Sequence, residues 1–265
     1  MNKYSCYIIG NRYPNLTSSN LQALEKLFEI HHIEPIMTNK ESSAFLEVKN
    51  KKEFYCFQGR DPLPGEIGCA NSHLNVYSKI INNKNSWALI LEDDAEILNS
   101  TELFHAIHAF VSDDVQFPAV YSLYTENFPT KKLHLEQVKE EFIKTKIAPP
   151  TTVAYLINNQ AARLFLQIQN PIKFVADWPF TGDKCRFYLT TRTLFLHHNT
   201  NSSILVSKDT TRELRVHRKI AIWSLFWFVK NHRSFGNLTR YFEMMIKPRY
   251  LYHTKNIRGS SEVVS

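Results

Sequence analysis

Three consecutive carboxylates end a strongly apolar run of this sequence. In "WALILEDDAEIL", residues 87–98, five apolar side chains are followed directly by Glu92, Asp93 and Asp94. Like charges this close together cost free energy unless a cation offsets them, and carboxylate oxygens suit Mg²⁺ or Mn²⁺, which can in turn hold the phosphates of a substrate. The alternative is a solvated turn whose acids favour the N-terminus of the next helix.

Two histidines and two aspartates later in the chain have residue types that fit the same chemistry. His197 and His198 end an apolar segment, and because imidazole is a common metal ligand, either can complete a site with the acids. In "VADWPFTGD", Asp177 and Asp183 lie in a loop where a carboxylate can act as a general base. The alternatives are histidines that are merely polar strand ends and aspartates that make local turn hydrogen bonds.

Alternating strands and helices must position these side chains. Apolar and β-branched runs predict strands at 4–9, 34–37, 87–91, 119–125, 151–157 and 186–196. Helical spacing predicts helices after a cap at 17–19, over 66–83, over 101–111 with Thr101 as its cap, and over 158–169, whereas 39–64 reads as a loop. This alternation predicts an α/β fold with a mostly parallel sheet, and ligands of such sheets gather at the carboxyl ends of the strands, where the acids stand.

Composition narrows the class of protein. With 265 residues and 43% hydrophobic content, the chain can form a substantial core, which argues against wholesale disorder. The four cysteines are far apart and match neither a CxxC zinc site nor a disulfide scaffold, so we expect reduced thiols in a cytoplasmic protein. The apolar stretch near the N-terminus is shorter than a signal-peptide core of about 7 to 15 residues, which gives the same expectation.

The net charge of +7 is concentrated at the C-terminal end. From Lys208 onward there are 12 Lys/Arg against 4 Asp/Glu, a net +8, whereas residues 1–207 carry −1. Within "RVHRKIAIWSLFWFVKNHR", ten mostly apolar residues, 220–229, lie between basic flanks; a spanning helix needs about 20. Basic flanks around tryptophans are typical of a helix on an anionic membrane surface, although a helix packed on the core is the alternative.

These features predict two regions and their partners. Residues 1–207 form the α/β domain, and residues 208–265 form a basic, amphipathic helical tail on the inner face of the cytoplasmic membrane. Nucleic acid is not an expected partner, because the aromatic residues of the tail form one apolar block and do not alternate with its charges.

Two sequence blocks resemble the signature of glycosyltransferase family 25. These are "GEIGCANSH" at 65–73 and "WALILEDDAEIL", and the family comprises the lipopolysaccharide and lipooligosaccharide galactosyltransferases of Gram-negative bacteria and their collagen-modifying relatives. "TTVAYLINNQAARLFL" and "PIKFVADWPF" are similar to further blocks of the family. The resemblance spans roughly residues 4–198, and no motif of the family covers the C-terminal tail.

The resemblance implies a fold, a reaction and ligands. The fold would be of GT-A type, a Rossmann-like mixed sheet flanked by helices. The reaction would transfer galactose from UDP-galactose, with inversion, to a lipid-anchored oligosaccharide of lipopolysaccharide, with Mn²⁺ or Mg²⁺ as cofactor. Two alternatives remain open: a metal-dependent phosphohydrolase or nucleotidyltransferase, and a non-catalytic, membrane-associated scaffold of glycan assembly.

The resemblance also implies roles for single residues. Asp94 would bind the metal ion, with Glu92 as a further candidate ligand beside His197 or His198 from the later strand end, and Glu92 or Asp93 would hold hydroxyls of the ribose or galactose. Asp177 would be the general base, with Asp183 as second choice.

Four further residues are candidates for ligand contacts. Asn11 and Arg12 would contact the nucleotide or its phosphates, although their "IGNR" departs from the usual family opening. Ser72 and His73 would contact donor or acceptor; the alternative for His73 is a polar residue that caps a buried helix face.

Overall fold

The computed structural model describes residues 4–10, 17–51, 54, 61–84, 86–111, 116–124, 136–137, 142–145, 148–149, 151–176 and 184–197. Five candidate site residues lie outside them: Asn11, Arg12, Asp177, Asp183 and His198. The basic tail also lies outside the described residues, so the division at residue 207 stays a prediction.

Ten strands and five helices form within the described residues. The helices are α1 (Ser18–Leu27), α2 (Ser43–Lys51), α3 (Pro64–Asn82), α4 (Ser100–Val111) and α5 (Asn159–Gln169). The strands are β1 (Tyr4–Ile9), β2 (Phe28–Ile33), β3 (Trp87–Glu92), β4 (Ala95–Ile97), β5 (Ala119–Ser122), β6 (Glu136–Gln137), β7 (Phe142–Thr145), β8 (Ala154–Asn158), β9 (Arg186–Thr190) and β10 (Phe195–His197). No described helix has the length and apolar character needed to cross a bilayer.

Eight of these strands form one mixed sheet in the order β2-β1-β3-β8-β5-β9-β7-β6. Three pairings are parallel, β1 with β2, β1 with β3 and β5 with β9. The pairings of β8 with β3 and β5, and of β7 with β9 and β6, are antiparallel. The α/β class with a mixed sheet flanked by helices is therefore confirmed, and the mostly parallel sheet expected from alternation is wrong, because β8 runs against both of its neighbours.

Strand β3 lies in the middle of two hydrophobic cores. Trp87, Leu89 and Leu91 pack on one face of the sheet, with α1 and α4. Ala88 and Ile90 pack on the other, with α3 and α5. Because helices cover both faces, every residue of this strand before Glu92 is apolar, as in the buried strands of α/β proteins.

Between residues 28 and 64, the structure differs from the sequence prediction in two segments. The second strand is Phe28–Ile33 instead of 34–37, since the chain turns from α1 directly into a parallel pairing with β1. Residues 43–51 form α2, not loop, because Phe45 and Val48 bury against Ile67 of α3 in a third hydrophobic cluster.

Two predictions in later segments also need correction. The single strand expected at 186–196 is divided: β9 joins the large sheet, and β10 pairs with β4 in a separate two-stranded sheet. The N-terminus of α4 is capped by Asn99, whose Oδ1 accepts hydrogen bonds from the backbone N–H groups of Thr101 and Glu102 at 3.0 and 3.1 Å. Asparagine is among the strongest capping residues, so it displaces Thr101 from that role.

Candidate active site

The acid trio, Glu92, Asp93 and Asp94, stands where two parallel strands end side by side. In the pairing of β1 with β3, Ile9 lies opposite Glu92, so Gly10 follows at the same sheet edge as Asp93. The trio spans the end of β3 and the turn into β4. Each of its carboxylates has different neighbours.

Glu92 turns toward the helix side of the sheet. Its Oε1 accepts a hydrogen bond from the Thr152 hydroxyl at 2.5 Å and lies 3.2 Å from Nε2 of His73, which is itself buried. The backbone N–H of Glu92 donates to the carbonyl of Val153 at 2.8 Å. Two side chains from distant parts of the sequence therefore fix one oxygen of this carboxylate.

The protonation of this group follows from its contacts. Burial raises the pKa of Glu92, but the hydrogen bond and charge of His73 and the hydroxyl of Thr152 outweigh burial, and the net pKa is lowered. Glu92 is thus a carboxylate that only accepts, so Nε2 of His73 carries a proton.

Two buried tyrosine hydroxyls are hydrogen-bonded in series to Nδ1, the nitrogen of His73 that faces away from Glu92. Its Nδ1 lies 2.8 Å from the hydroxyl of Tyr155, which lies 3.0 Å from the hydroxyl of Tyr77. Burial raises the pKa of both phenols, so both keep their protons. Nε2–H of His73 donates to Glu92, and the direction of the bond between Nδ1 and Tyr155 follows the proton on Nδ1: without it Nδ1 accepts from Tyr155, and with it Nδ1 donates.

Asp93 packs against the end of β1. Gly10 has φ +153°, and a Cβ there would lie 2.2 Å from Cβ of Asp93, so only glycine fits beside this aspartate. Partial covering of its carboxyl, and then the charges of Asp94 and Glu92, raise the pKa of Asp93.

Asp94 faces the two-stranded sheet. Oδ2 of Asp94 lies 2.8 Å from Nε2 of His197, because the antiparallel register of β4 and β10 sets His197 opposite Ala95, the residue after Asp94. The imidazole meets the ring of Tyr124 edge-on, with the ring centroids 6.1 Å apart.

The second oxygen of Asp94 fits a cation. Oδ1 is buried and has no hydrogen-bond partner among the described residues. A buried, unpaired carboxylate oxygen is costly, and a divalent ion would satisfy it. An oxygen and an imidazole nitrogen form a donor set that Mn²⁺ accepts, so Asp94 and His197 fit the predicted metal ion.

Ser72 has a role in the scaffold. Its buried hydroxyl donates to the carbonyl of Gly68 at 2.9 Å and accepts from the backbone N–H of Ile36 at 2.8 Å. These bonds tie the segment after β2 to α3. The predicted ligand contact of Ser72 stays a prediction.

A sequence comparison decides the family of the chain. The model of glycosyltransferase family 25, described as lipopolysaccharide biosynthesis proteins, matches residues 17–180, well over half of the chain. The chain belongs to glycosyltransferase family 25. The resemblance predicted from the sequence blocks is confirmed, and the matched range includes the whole acid trio with His73 and Thr152.

Comparisons with other proteins add two observations on this family 25 chain. One solved structure that it resembles is a glycosyltransferase involved in the glycosylation of the major capsid of PBCV-1, with 13% identity, a TM-score of 0.25 and coverage of 63% of this chain and 68% of that chain. A search of curated proteins finds no match.

Several residues around the trio of this family 25 protein were not predicted from sequence. Tyr155 lies on β8 and Thr152 just before it, Tyr77 lies on α3, and Gly10 follows β1. In the sequence Cys69 is a thiol far from the other cysteines, and in the structure it lies near His73 and Glu92. Its spacing of four residues from His73 on a predicted helix was the one available signal.

A cavity of about 300 Å³ lies elsewhere, between α4 and the segment that follows β9. Its lining includes His105, Thr190 and Arg192, and none of the predicted site residues. The acid trio is therefore assigned as the candidate site of this family 25 enzyme from its chemistry and its position at the sheet edge.

Proposed function

We propose that this family 25 glycosyltransferase transfers galactose from UDP-galactose, with inversion, to a sugar of a lipopolysaccharide or lipooligosaccharide acceptor. Family membership supports the coarse statement, a nucleotide-sugar donor and a glycan acceptor. The finer statements on sugar, metal ion and stereochemistry follow from the resemblance and from the chemistry of the acid trio.

One observation carries the proposal. Asp94 presents a buried oxygen with no partner among the described residues, next to His197, at the edge of the sheet where ligands of α/β folds bind. In a chain of this family, this is the position that suits the cation of a nucleotide-sugar donor. Bound there, Mn²⁺ or Mg²⁺ would neutralise the negative charge that develops on the departing diphosphate.

The other two acids of the trio serve the donor. Glu92 has one oxygen fixed by His73 and Thr152, which orients the carboxylate. A carboxylate held in this way accepts hydrogen bonds from sugar hydroxyls without reorganising. We assign hydroxyls of the ribose or the galactose to Glu92 and Asp93.

Inversion requires a base on the opposite face of the sugar. The acceptor hydroxyl attacks the anomeric carbon, the bond from that carbon to the β-phosphate oxygen breaks, and UDP leaves with the electron pair. Asp177 takes the hydroxyl proton, and Asp183 is the second candidate for this role. The new linkage is then β.

The experiment measures thermal unfolding with a panel of nucleotide sugars, with and without Mn²⁺. A ligand bound only to the native state stabilises it by about 2.7 kcal/mol at 100 times its Kd. We expect UDP-galactose with Mn²⁺ to raise the Tm of the wild type, and Asp94→Asn and His197→Gln to lose the Mn²⁺-dependent part. Glu41→Gln, a charge-neutralising change at an exposed residue, is the matched control and should keep it.

Product analysis separates the proposal from its alternatives. UDP and a glycosylated acceptor, formed only when the acceptor is present, support the transferase. Hydrolysis of the donor with equal rates in the presence and absence of acceptor would instead indicate a phosphohydrolase. Mn²⁺-dependent protection that is unchanged in Asp94→Asn would remove the metal ion from this site.

A further inference from the structure

We infer that Cys69, His73 and Glu92 form a second cation site, with a sulfur, nitrogen and oxygen donor set that selects Zn²⁺-like ions. One ligand atom from each residue lies within 4.8 Å of the others. This site does not include Asp94 or His197, and it shares Glu92 with the proposed donor contacts.

The three donors converge because of the local secondary structure. Cys69 and His73 are four residues apart on α3, so both side chains project from the same face of the helix. Glu92 ends β3, the strand against which α3 packs. Two ligands from one helical turn and a third from a neighbouring element is an arrangement that zinc proteins use.

The separation of two of the three ligand atoms fits a tetrahedral ion. Bond lengths to zinc of 2.0–2.2 Å for nitrogen and oxygen place two such ligands about 3.4 Å apart at the tetrahedral angle. Nε2 of His73 and Oε1 of Glu92 are 3.2 Å apart. These two atoms therefore already have the separation that the ion requires, and Sγ of the partly exposed Cys69 lies within 4.8 Å of both.

The outer contacts match those of metal-binding histidines. The ring nitrogen of a zinc-bound histidine that faces away from the metal usually donates its N–H to an acceptor, which fixes the ring, and the Tyr155 hydroxyl is placed to accept from Nδ1. In this protein Nδ1 of His73 contacts Tyr155, and Thr152 donates to Glu92. The ligands are thus oriented before an ion arrives, which lowers the cost of binding.

The donor set distinguishes this site from the one at Asp94. Thiolate and imidazole favour zinc over magnesium or manganese, whereas carboxylate oxygens favour the harder ions. Binding of the ion at Nε2 would leave the proton of a neutral His73 on Nδ1, where it donates to Tyr155, and Cys69 would bind as a thiolate, so binding releases the thiol proton.

The test uses the full-length protein, stripped with a chelator, and Co²⁺ as a spectroscopic substitute for Zn²⁺. Cobalt bound to a thiolate gives a charge-transfer absorption band in the near ultraviolet. We expect this band at one equivalent of Co²⁺, and its loss when Zn²⁺ is added. Cys69→Ser should abolish the band and weaken Zn²⁺ binding, measured by titration calorimetry, by about tenfold or more.

Two controls locate the ion. Cys185→Ala removes a buried thiol of another cluster and should leave the band unchanged. Asp94→Asn should also leave the cobalt band unchanged. Conversely, Cys69→Ser should keep the Mn²⁺-dependent protection against thermal unfolding by UDP-galactose. Circular dichroism checks that each variant is folded.

Two results would overturn the inference. The first is a wild type with no thiolate band, and the second is a band that persists in Cys69→Ser. Neither result affects the transferase proposal, because that proposal is tested by donor protection at Asp94.

Discussion

At the scale of residues, the acid trio shows how adjacent side chains acquire different roles. Glu92 contacts His73 and Thr152, Asp93 packs against Gly10, and Asp94 pairs with His197. The sequence predicted a cluster of carboxylates at a strand end, because three acids after an apolar run are visible locally. Their partners were not predictable, since the pairing of Thr152 with Glu92 joins residues 60 positions apart through the sheet register.

The lowered pKa of Glu92 predicts a pH dependence of stability. Its pKa in the folded protein lies below that of the unfolded chain, so the ionised group stabilises the fold above the ordinary value of about 4.3 and this contribution is lost as pH falls through the folded pKa. The free energy of unfolding of the wild type minus that of Glu92→Gln should therefore decrease in acid. Urea titrations from neutral pH to pH 3, with a chelator present, measure it.

Thr152→Val is the matched variant for this measurement. This variant keeps the carboxylate of Glu92 and removes one hydrogen-bond donor that lowers the pKa of that group. The free energy of unfolding of Thr152→Val minus that of Glu92→Gln should therefore depend less on pH than the same difference for the wild type. A difference between wild type and Glu92→Gln that grows on acidification would contradict the assigned protonation.

The base assignment predicts a separation of binding from turnover. Asp177→Asn should keep donor binding and lower kcat by about 10² or more, because the proton acceptor is lost while the donor contacts stay. Steady-state rates and donor protection are measured on the same preparation. If Asp177→Asn turns over normally, the role moves to Asp183, and Asp183→Asn is the next variant.

At the scale of elements, the strand that runs backwards is the feature that sequence patterns missed. The apolar runs of β1, β3 and β8 predicted strands at nearly the right bounds, because burial on both faces selects such residues. Direction is not encoded in such a run, so the antiparallel pairing of β8 with β3 was not predicted. The pairing of β4 with β10 was equally hidden, since a strand of three residues carries little periodicity.

Helix α3 passes close to the segment after β2 at Gly68, so we expect a larger side chain there to destabilise the fold. A Cβ at Gly68 would lie 2.3 Å from the carbonyl oxygen of Ile36, and a backbone atom cannot move aside cheaply. Gly68→Ala should therefore lower the free energy of unfolding by about 1–3 kcal/mol, despite the better helix propensity of alanine. Denaturant titration measures it.

Asn75→Ala provides the control on the same helix. Asn75 is exposed on α3, so alanine there should leave stability unchanged or raise it slightly. If Gly68→Ala were as stable as Asn75→Ala, the close approach of the two segments would be refuted.

At the scale of the whole molecule, composition predicted a core and a split of charge. The sheet is covered on both faces by the four helices α1, α3, α4 and α5, as a chain with 43% hydrophobic residues permits. The charge split is a property of the sequence alone: +8 in the tail and −1 in residues 1–207. We propose that the tail binds an anionic membrane surface, where a lipid-anchored acceptor would be presented.

Vesicle flotation tests this proposal on the full-length chain. The protein should float with anionic vesicles, less with zwitterionic ones, and less at high salt. Each basic residue near the surface contributes about 1 kcal/mol, so neutralising four removes about 4 kcal/mol and should weaken binding by about 10³-fold. The four tail changes are Arg218→Gln, Lys219→Gln, Lys230→Gln and Arg233→Gln.

A matched set of four lysines in the first region controls for net charge. Their exposed side chains are those of Lys26, Lys40, Lys49 and Lys79, each replaced by glutamine. This variant should float like the wild type. An equal loss of vesicle binding in both variants would mean that the overall charge of the protein, and not the tail, determines its binding to anionic vesicles.

The reversed direction of β8 has a consequence for how this enzyme can be altered. The backbone ladder with β3 runs from Trp87 and Asn158 to Leu91 and Ala154, and Thr152 precedes it. Because Thr152 precedes the ladder, and Val153 between them accepts a hydrogen bond from the backbone N–H of Glu92, a change in length just ahead of β8 would displace the hydroxyl that orients Glu92. Because Thr152 and Val153 are both buried, a mutant library confined to those few positions would alter the orientation of Glu92 at a cost in stability.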